Sequence, residues 1–204
     1  MKRILAIFAA SLLFGLTAFA GGREFFVRLH PGIEWGYTLT LAAHHHYNYL
    51  DESIGFRIND EGWTMLPRSN AYILGSLSYS FSSVFSAGII SGFQGVYKDR
   101  RTVPLLCRVS VSPSGRDSDG FFFFSDMGMF LTDFRRHGNQ FQIGSGYSIV
   151  LAPRCSIGLR IGARLVYDRP DVWDPIEEEY ISEQNIRRND AWYSALNMGI
   201  VLEF

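Results

Sequence analysis

The sequence predicts an all-β protein, an antiparallel up-and-down β-barrel of eight strands that crosses a membrane. Three observations predict it. Stretches of apolar/polar alternation recur along the chain, broken by turn residues. The polar side of that alternation is mostly Gly, Ser, Thr and Gln with isolated charges, unlike the Lys- and Glu-rich face of a sheet that meets water. The chain opens with an export-type leader, and no later run of 18 apolar residues follows to form a membrane helix. A membrane protein without helices must close its sheet, because every backbone N–H and C=O needs a partner in lipid.

The leader is Met1–Ala20. Lys2 and Arg3 form a basic start, Ile4–Phe19 is uncharged and apolar, and Ala18-Phe19-Ala20 is a small-residue cleavage site. Residues 21–204 are then one barrel domain. The leader holds two basic and no acidic residues, so the remainder carries 17 basic and 20 acidic side chains, a balance of −3. That balance predicts no nucleic-acid partner.

Each strand follows from its own alternation. Ile33, Trp35, Tyr37, Leu39 and Leu41 oppose Glu34, Gly36, Thr38, Thr40 and Ala42. Ile73, Leu77, Tyr79 and Phe81 oppose Leu74, Ser76, Ser78 and Ser80. Phe85, Ala87, Ile89 and Phe93 oppose Ser86, Gly88, Gly92 and Gln94. Val103, Leu105, Cys107, Val109 and Val111 oppose Arg108, Ser110 and Ser112. Residues 120–134 are less regular, since Phe121–Phe124 are apolar on both faces. Phe141, Ile143, Tyr147, Ile149 and Leu151 oppose Gln140, Gln142, Gly144, Gly146 and Ser148. Ile157, Leu159, Ile161, Ala163 and Leu165 oppose Ser156, Gly158, Arg160, Gly162 and Arg164. The eighth strand runs from about Ala191 to Phe204, with Leu196, Met198, Ile200, Leu202 and Phe204 on one face. It ends flush on an apolar residue, which predicts a terminus at a membrane rim.

Small residues with a few charges suit the narrow interior of eight strands. Aromatics on the other face, among them Trp35, Tyr79, Phe81, Tyr97, Tyr147, Tyr167, Trp192 and Phe204, fall near strand ends, where interfacial girdles belong. With both termini in the periplasm, the periplasmic turns are Ser82-Ser83, 113–119 and 152–154. The outer loops are 43–70, 98–102, 134–138 and 169–190. Segment 43–70 has its own alternation at Ile54, Phe56 and Ile58. It reads either as a hairpin projecting above the membrane or as two further strands of a ten-stranded barrel.

This pattern resembles the small outer-membrane β-barrel families: the OmpX-like barrels, the OmpA transmembrane domain and the "outer membrane protein β-barrel domain" sequences. The resemblance spans the whole processed chain and includes the terminal Leu202-Glu203-Phe204. It implies location in a bacterial outer membrane, contact with membrane lipid and lipopolysaccharide, and recognition of Phe204 by the barrel-assembly machinery. It implies no catalytic motif and no cofactor. Unlike OmpA-type proteins, no peptidoglycan-binding domain follows the barrel, so a cell-wall tether is not expected.

The inner-face charges are Glu34, Arg108, Asp126, Arg160, Arg164 and Glu203. Buried charges are costly unless paired, so a lumen network of Arg–carboxylate pairs is expected, with an ion path or gate as the functional counterpart. His44-His45-His46 precedes Asp51 and Glu52, but alternate strand residues share a face, leaving His44 and His46 as metal candidates. Arg187-Arg188, in the loop before the last strand, suits lipopolysaccharide phosphates. Cys107 and Cys155 lie on strands that are not neighbours and are expected to be free thiols. The functional expectation is a non-enzymatic envelope protein that presents loops 43–70 and 169–190. The alternatives are a narrow solute channel, a lipid A acyl-modifying enzyme, for which Ser53 and Glu52 lie near the His run and Ser91 on a strand but no local motif ties a Ser to a His, and a periplasmic lipocalin-like barrel with an apolar interior.

Overall fold

A computed structural model describes residues 28–96, 101–132, 135–174 and 178–204. The leader, Tyr97 and most of the 98–102 loop lie outside the described residues. Among the described residues ten strands occur: β1 Leu29–Asp51, β2 Phe56–Ser80, β3 Phe85–Gly95, β4 Arg101–Val111, β5 Gly120–Thr132, β6 Arg135–Ala152, β7 Cys155–Asp168, β8 Trp173–Asp174, β9 Glu179–Tyr180 and β10 Ile186–Glu203. Eight of them, β1 to β7 and β10, close into one antiparallel barrel in the order β1-β10-β7-β6-β5-β4-β3-β2. β8 and β9 pair only with each other, in the connection that leads to β10.

The barrel's polarity is inverted relative to a water-soluble protein. Ile33 and Tyr37 on β1, Ile73 on β2, Phe93 on β3, Leu105 on β4, Met127 on β5, Ile143 on β6, Leu159 on β7 and Met198 on β10 are exposed on the outer wall. Glu34, Thr38, Gln94, Arg108, Asp126, Gln142, Arg160, Arg164 and Asn197 are buried inside. A soluble monomer rarely exposes a contiguous apolar patch beyond a few hundred Å². An apolar belt around the whole circumference is stable in hydrocarbon, where no water is ordered against it. The 11-residue strands β3 and β4 match the roughly 9–11 tilted residues that cross such a layer. The same polarity removes the lipocalin-like alternative, which needs apolar residues inside.

β1 and β2 are about twice that length, 23 and 25 residues. The segment expected as a loop at 43–70 is therefore mostly paired strand, from Ala42↔Met65 to Asp51↔Phe56. It adds length to two barrel strands and no new strand to the wall, so the count is eight. β10 follows β1 upward as far as Tyr49↔Ile186, which takes residues 186–190 out of the expected 169–190 loop. The result is a three-stranded sheet, β2-β1-β10, standing above one rim. A register shift between Thr40 and Ala42 marks where it leaves the barrel. There Leu41 is exposed and Ala43 is buried, so the inward residues change from even to odd numbers.

The hairpin tip is closed by Asp51. Its Oδ1 accepts from the Ser53 amide at 2.9 Å, the Ser53 hydroxyl at 2.6 Å and the Ile54 amide at 3.3 Å. Gly55, at φ +69°, donates to the Asp51 carbonyl at 3.0 Å; left-handed backbone at this turn suits a residue without Cβ. The Ser53 hydroxyl bond, with the two amides, holds the Asp51 carboxyl below the usual aspartate value. A depressed folded value contributes stability above the unfolded value, near 3.8, and that contribution is lost as pH falls through the folded one. Proteolysis of the tip in the membrane-inserted protein is thus expected to be slow at neutral pH and to quicken below about pH 4. Asp51→Ala should cut as fast at pH 7 as wild type does in acid. Equal cleavage of both proteins at pH 7 would remove this role for Asp51.

Candidate functional site

Halfway down the lumen, four charged side chains meet. Register places Arg108 on β4 directly opposite Asp126 on β5. Arg108 donates to both carboxylate oxygens, Nε to Oδ1 at 2.7 Å and Nη2 to Oδ2 at 2.8 Å. Glu34 reaches in from β1 and is fully buried. Its Oε1 accepts from Arg108 Nη1 and its Oε2 from Arg160 Nη1 of β7. Arg160 Nη2 also lies 3.5 Å from Asp126 Oδ2. β1 and β4 are separated by β2 and β3 along the wall, so the Glu34–Arg108 bond spans the interior. β1 and β7 are separated only by β10, whose Gly199 faces both Gly36 and Arg160. The space that side chains would take at Gly36 and Gly199 is filled by the Tyr72 ring of β2, whose hydroxyl lies over both glycines.

Two guanidinium groups and two carboxylates cancel in charge, as burial requires. One ring completes the arrangement. Phe124 of β5 packs against both cations, with Arg160 Cζ 4.0 Å and Arg108 Cζ 5.0 Å from its centroid. Its edge lies over glycines of β6 and β7. A Cβ built on Gly144 would stand 2.5 Å from Phe124 Cζ, and one on Gly162 3.3 Å.

The other two inner charges expected from sequence lie apart from this group. Arg164 sits one layer toward the projecting sheet, donating to Gln94 Oε1 at 2.9 Å and the Gly95 carbonyl at 3.0 Å. Gln94 in turn donates to Gln140 Oε1 at 2.5 Å. Glu203 sits at the opposite rim, where Arg116 of the 112–119 turn donates to it at 2.8 Å. Between that rim and the charge group lies a small chamber of about 40 Å³, open to solvent. Ser86, Ser110, Ser112, Ser148 and Ser156 line it, with Arg108 and Arg160 at its floor. Phe204, beyond Glu203, is exposed and its amide donates to the Pro31 carbonyl at 2.9 Å.

Sequence reading missed Phe124, Arg116 and the buried Tyr72 of β2. The signal for Phe124 was present. Gly144 and Gly146 on one strand and Gly158 and Gly162 on the next pave a stretch of inner wall that only bulky side chains from elsewhere can fill.

The histidines stand on the projecting sheet beside acids of β2. His44 Nε2 is 3.5 Å from Glu61 Oε1, His46 Nδ1 is 3.6 Å from Glu61 Oε2, and His45 Nε2 is 3.2 Å from Asp60 Oδ2. Among the described residues no group of three His, Cys, Asp or Glu is arranged to hold a metal ion. The Ser53 hydroxyl is engaged by Asp51, and Ser91 lies down in the barrel opposite Gly75 and Leu105. Cys107 and Cys155 are free.

A closed eight-stranded sheet, greasy outside and ionic inside, is the architecture of the small outer-membrane β-barrels. No family model matches the chain, and no curated protein matches it. Among solved structures it is similar to the outer membrane protein OprG from Pseudomonas aeruginosa, at 10% identity and a TM-score of 0.45, covering 86% of this chain and 95% of that one. It is also similar to Neisserial surface protein A (NspA), at 11% and 0.44 over 86% and 97% of the two chains. A third is the outer membrane protease OmpT from Escherichia coli, at 11% and 0.42 over 86% and 96%.

Proposed function

We propose that this chain is a non-enzymatic protein of the bacterial outer membrane, exported by its leader and inserted by the barrel-assembly machinery through its Phe204-terminated strand. In this reading the short turns and the C-terminus face the periplasm. The β2-β1-β10 sheet and the 169–185 connection face outward and meet surface partners. The observation that carries it is the contrast between the two ends of the molecule. The lumen is tied shut by Glu34, Arg108, Asp126 and Arg160, whereas β1 and β2 invest about a dozen residues each in structure beyond the membrane. A barrel built this way serves as an anchor for its projection.

One observation favours a second reading. The serine-lined chamber leads from the periplasmic rim to the charge group, so rearranged ion pairs would complete a narrow path for small polar solutes. Planar-bilayer recording of the purified barrel separates the two. The anchor reading expects no steady conductance from the wild-type protein. A stable open level that changes on Arg108→Ala or Arg160→Ala would replace it with the channel.

A further inference from the structure

The outer wall carries an arrangement that the charge group and the projection leave unused. Tyr167 and Trp192 are cross-strand partners at the rim, with ring centroids 4.9 Å apart. The β7–β10 ladder ends one pair higher, at Asp168↔Ala191. Asp190 follows on the same face as Trp192, about 7 Å above it at two residues of strand rise. This carboxylate gathers two hydrogen-bond donors and a nearby cation. The Tyr167 hydroxyl donates at 2.5 Å, Arg188 Nε at 2.7 Å, and Arg169 Nε lies at 3.8 Å. Arg169 Nε also donates to the Tyr167 hydroxyl at 3.2 Å.

Both arginines use Nε for these contacts, and Arg169 Cζ lies 5.9 Å over the Tyr167 ring. Their side chains are 64% and 51% exposed, while Asp190 is only 20% exposed. Burial pushes the Asp190 carboxyl up, but the Tyr167 and Arg188 hydrogen bonds and the arginine charges outweigh it and hold it below the usual value. The cluster therefore keeps one carboxylate against two cations near neutral pH. A surface ion pair alone is worth little. Two exposed guanidinium groups tied to one carboxylate above an aromatic pair make something more specific. Rings of an interfacial girdle lie at the level where acyl chains end, which would set guanidinium groups just above them at the level of headgroup phosphates.

We propose that Arg169 and Arg188, set by Asp190 over Tyr167 and Trp192, bind a phosphate group of a membrane glycolipid in the outward leaflet. This rests on the outward orientation of the projecting sheet given above. It also moves the contact expected for Arg187-Arg188. The β1–β10 register runs Asn48↔Arg188 and then Tyr49↔Ile186, passing over Arg187, which has no part in the cluster.

The test is native mass spectrometry of the full barrel in detergent, titrated with diphosphoryl lipid A, with the same lipid lacking its phosphates, and with inorganic phosphate. Wild type is expected to retain the diphosphoryl lipid in preference to the dephosphorylated one. Arg169→Gln/Arg188→Gln should weaken retention roughly tenfold or more, the scale of losing charge-assisted hydrogen bonds. Arg187→Gln removes the same kind of charge one residue away and should leave retention unchanged. Equal retention by wild type and the double variant would overturn the site. So would an equal loss in Arg187→Gln, equal binding of the dephosphorylated lipid, or displacement by inorganic phosphate. Heat-shifted gel migration of the same samples reports the barrel itself; its absence in wild type would overturn the membrane reading rather than this site alone.

Discussion

Glu34→Ala is expected to cost the barrel about 3–5 kcal/mol, the scale of stranding a buried charge by removing its partner. Glu34 is the shared acceptor of Arg108 and Arg160 and the link from β1 to strands across the interior. Without it, Arg108 keeps its two bonds to Asp126, but Arg160 keeps only the 3.5 Å approach to that same carboxylate. Two guanidinium groups would then share one acid in a buried lumen. The measurement is the urea midpoint of the protein folded in lipid vesicles, with the denaturant slope checked for constancy. The double variant Glu34→Ala/Arg160→Ala restores charge balance, leaving the bidentate Arg108–Asp126 pair. Its loss should fall short of the sum of the two single losses, because the residues are directly coupled. Additive losses would mean that Glu34 acts through packing and not as the counter-charge.

The barrel was legible because one signal repeats in eight places. Each strand's parity places its residues without knowledge of neighbours, so Glu34, Arg108, Asp126 and Arg160 are all assigned to the interior, although the bond from Glu34 across to Arg108 is not. What parity does not reveal is height and reach. Arg164 and Glu203 share the inner face with the four clustered charges, yet they stand in other layers. Their partners, Gln94 and Arg116, are set by register and by a turn. Segment 43–70 was hard to read for a related reason. A bulge at Leu41 exchanges the two faces, so alternation past it no longer signals inside and outside as it does below. His45, on the inner parity of β1 above the bulge, is thereby separated from His44 and His46.

Residues 121–124 were the least readable stretch and provide the most direct test of the inverted polarity. All four are Phe. Phe121 and Phe123 are exposed on the outer wall, at 63% and 52%, whereas Phe124 is buried at 3% and Phe122 packs over the glycines of β6 and β7. A Cβ on Gly146 would collide with Phe122 Cζ, which shows how closely that ring sits on the bare backbone. Phe124→Ala is expected to cost about 3–5 kcal/mol, as a buried ring loses its packing and leaves a cavity that a closed barrel cannot collapse to fill. It also removes the surface against which Arg108 and Arg160 are held, so Glu34→Ala should shift the midpoint by a different amount in the Phe124→Ala background than in wild type. Phe122→Ala should be costly as well, but less so, because it borders the open chamber. Phe121→Ala and Phe123→Ala leave no internal cavity, since lipid fills the space that the ring vacates, and their midpoints should move least. A scan of four adjacent identical residues that reads small, large, small, large in the same urea experiment can arise only if successive side chains look into different solvents. Four similar losses would place all four rings in one environment, and with that the assignment of hydrocarbon to the outer wall would fail.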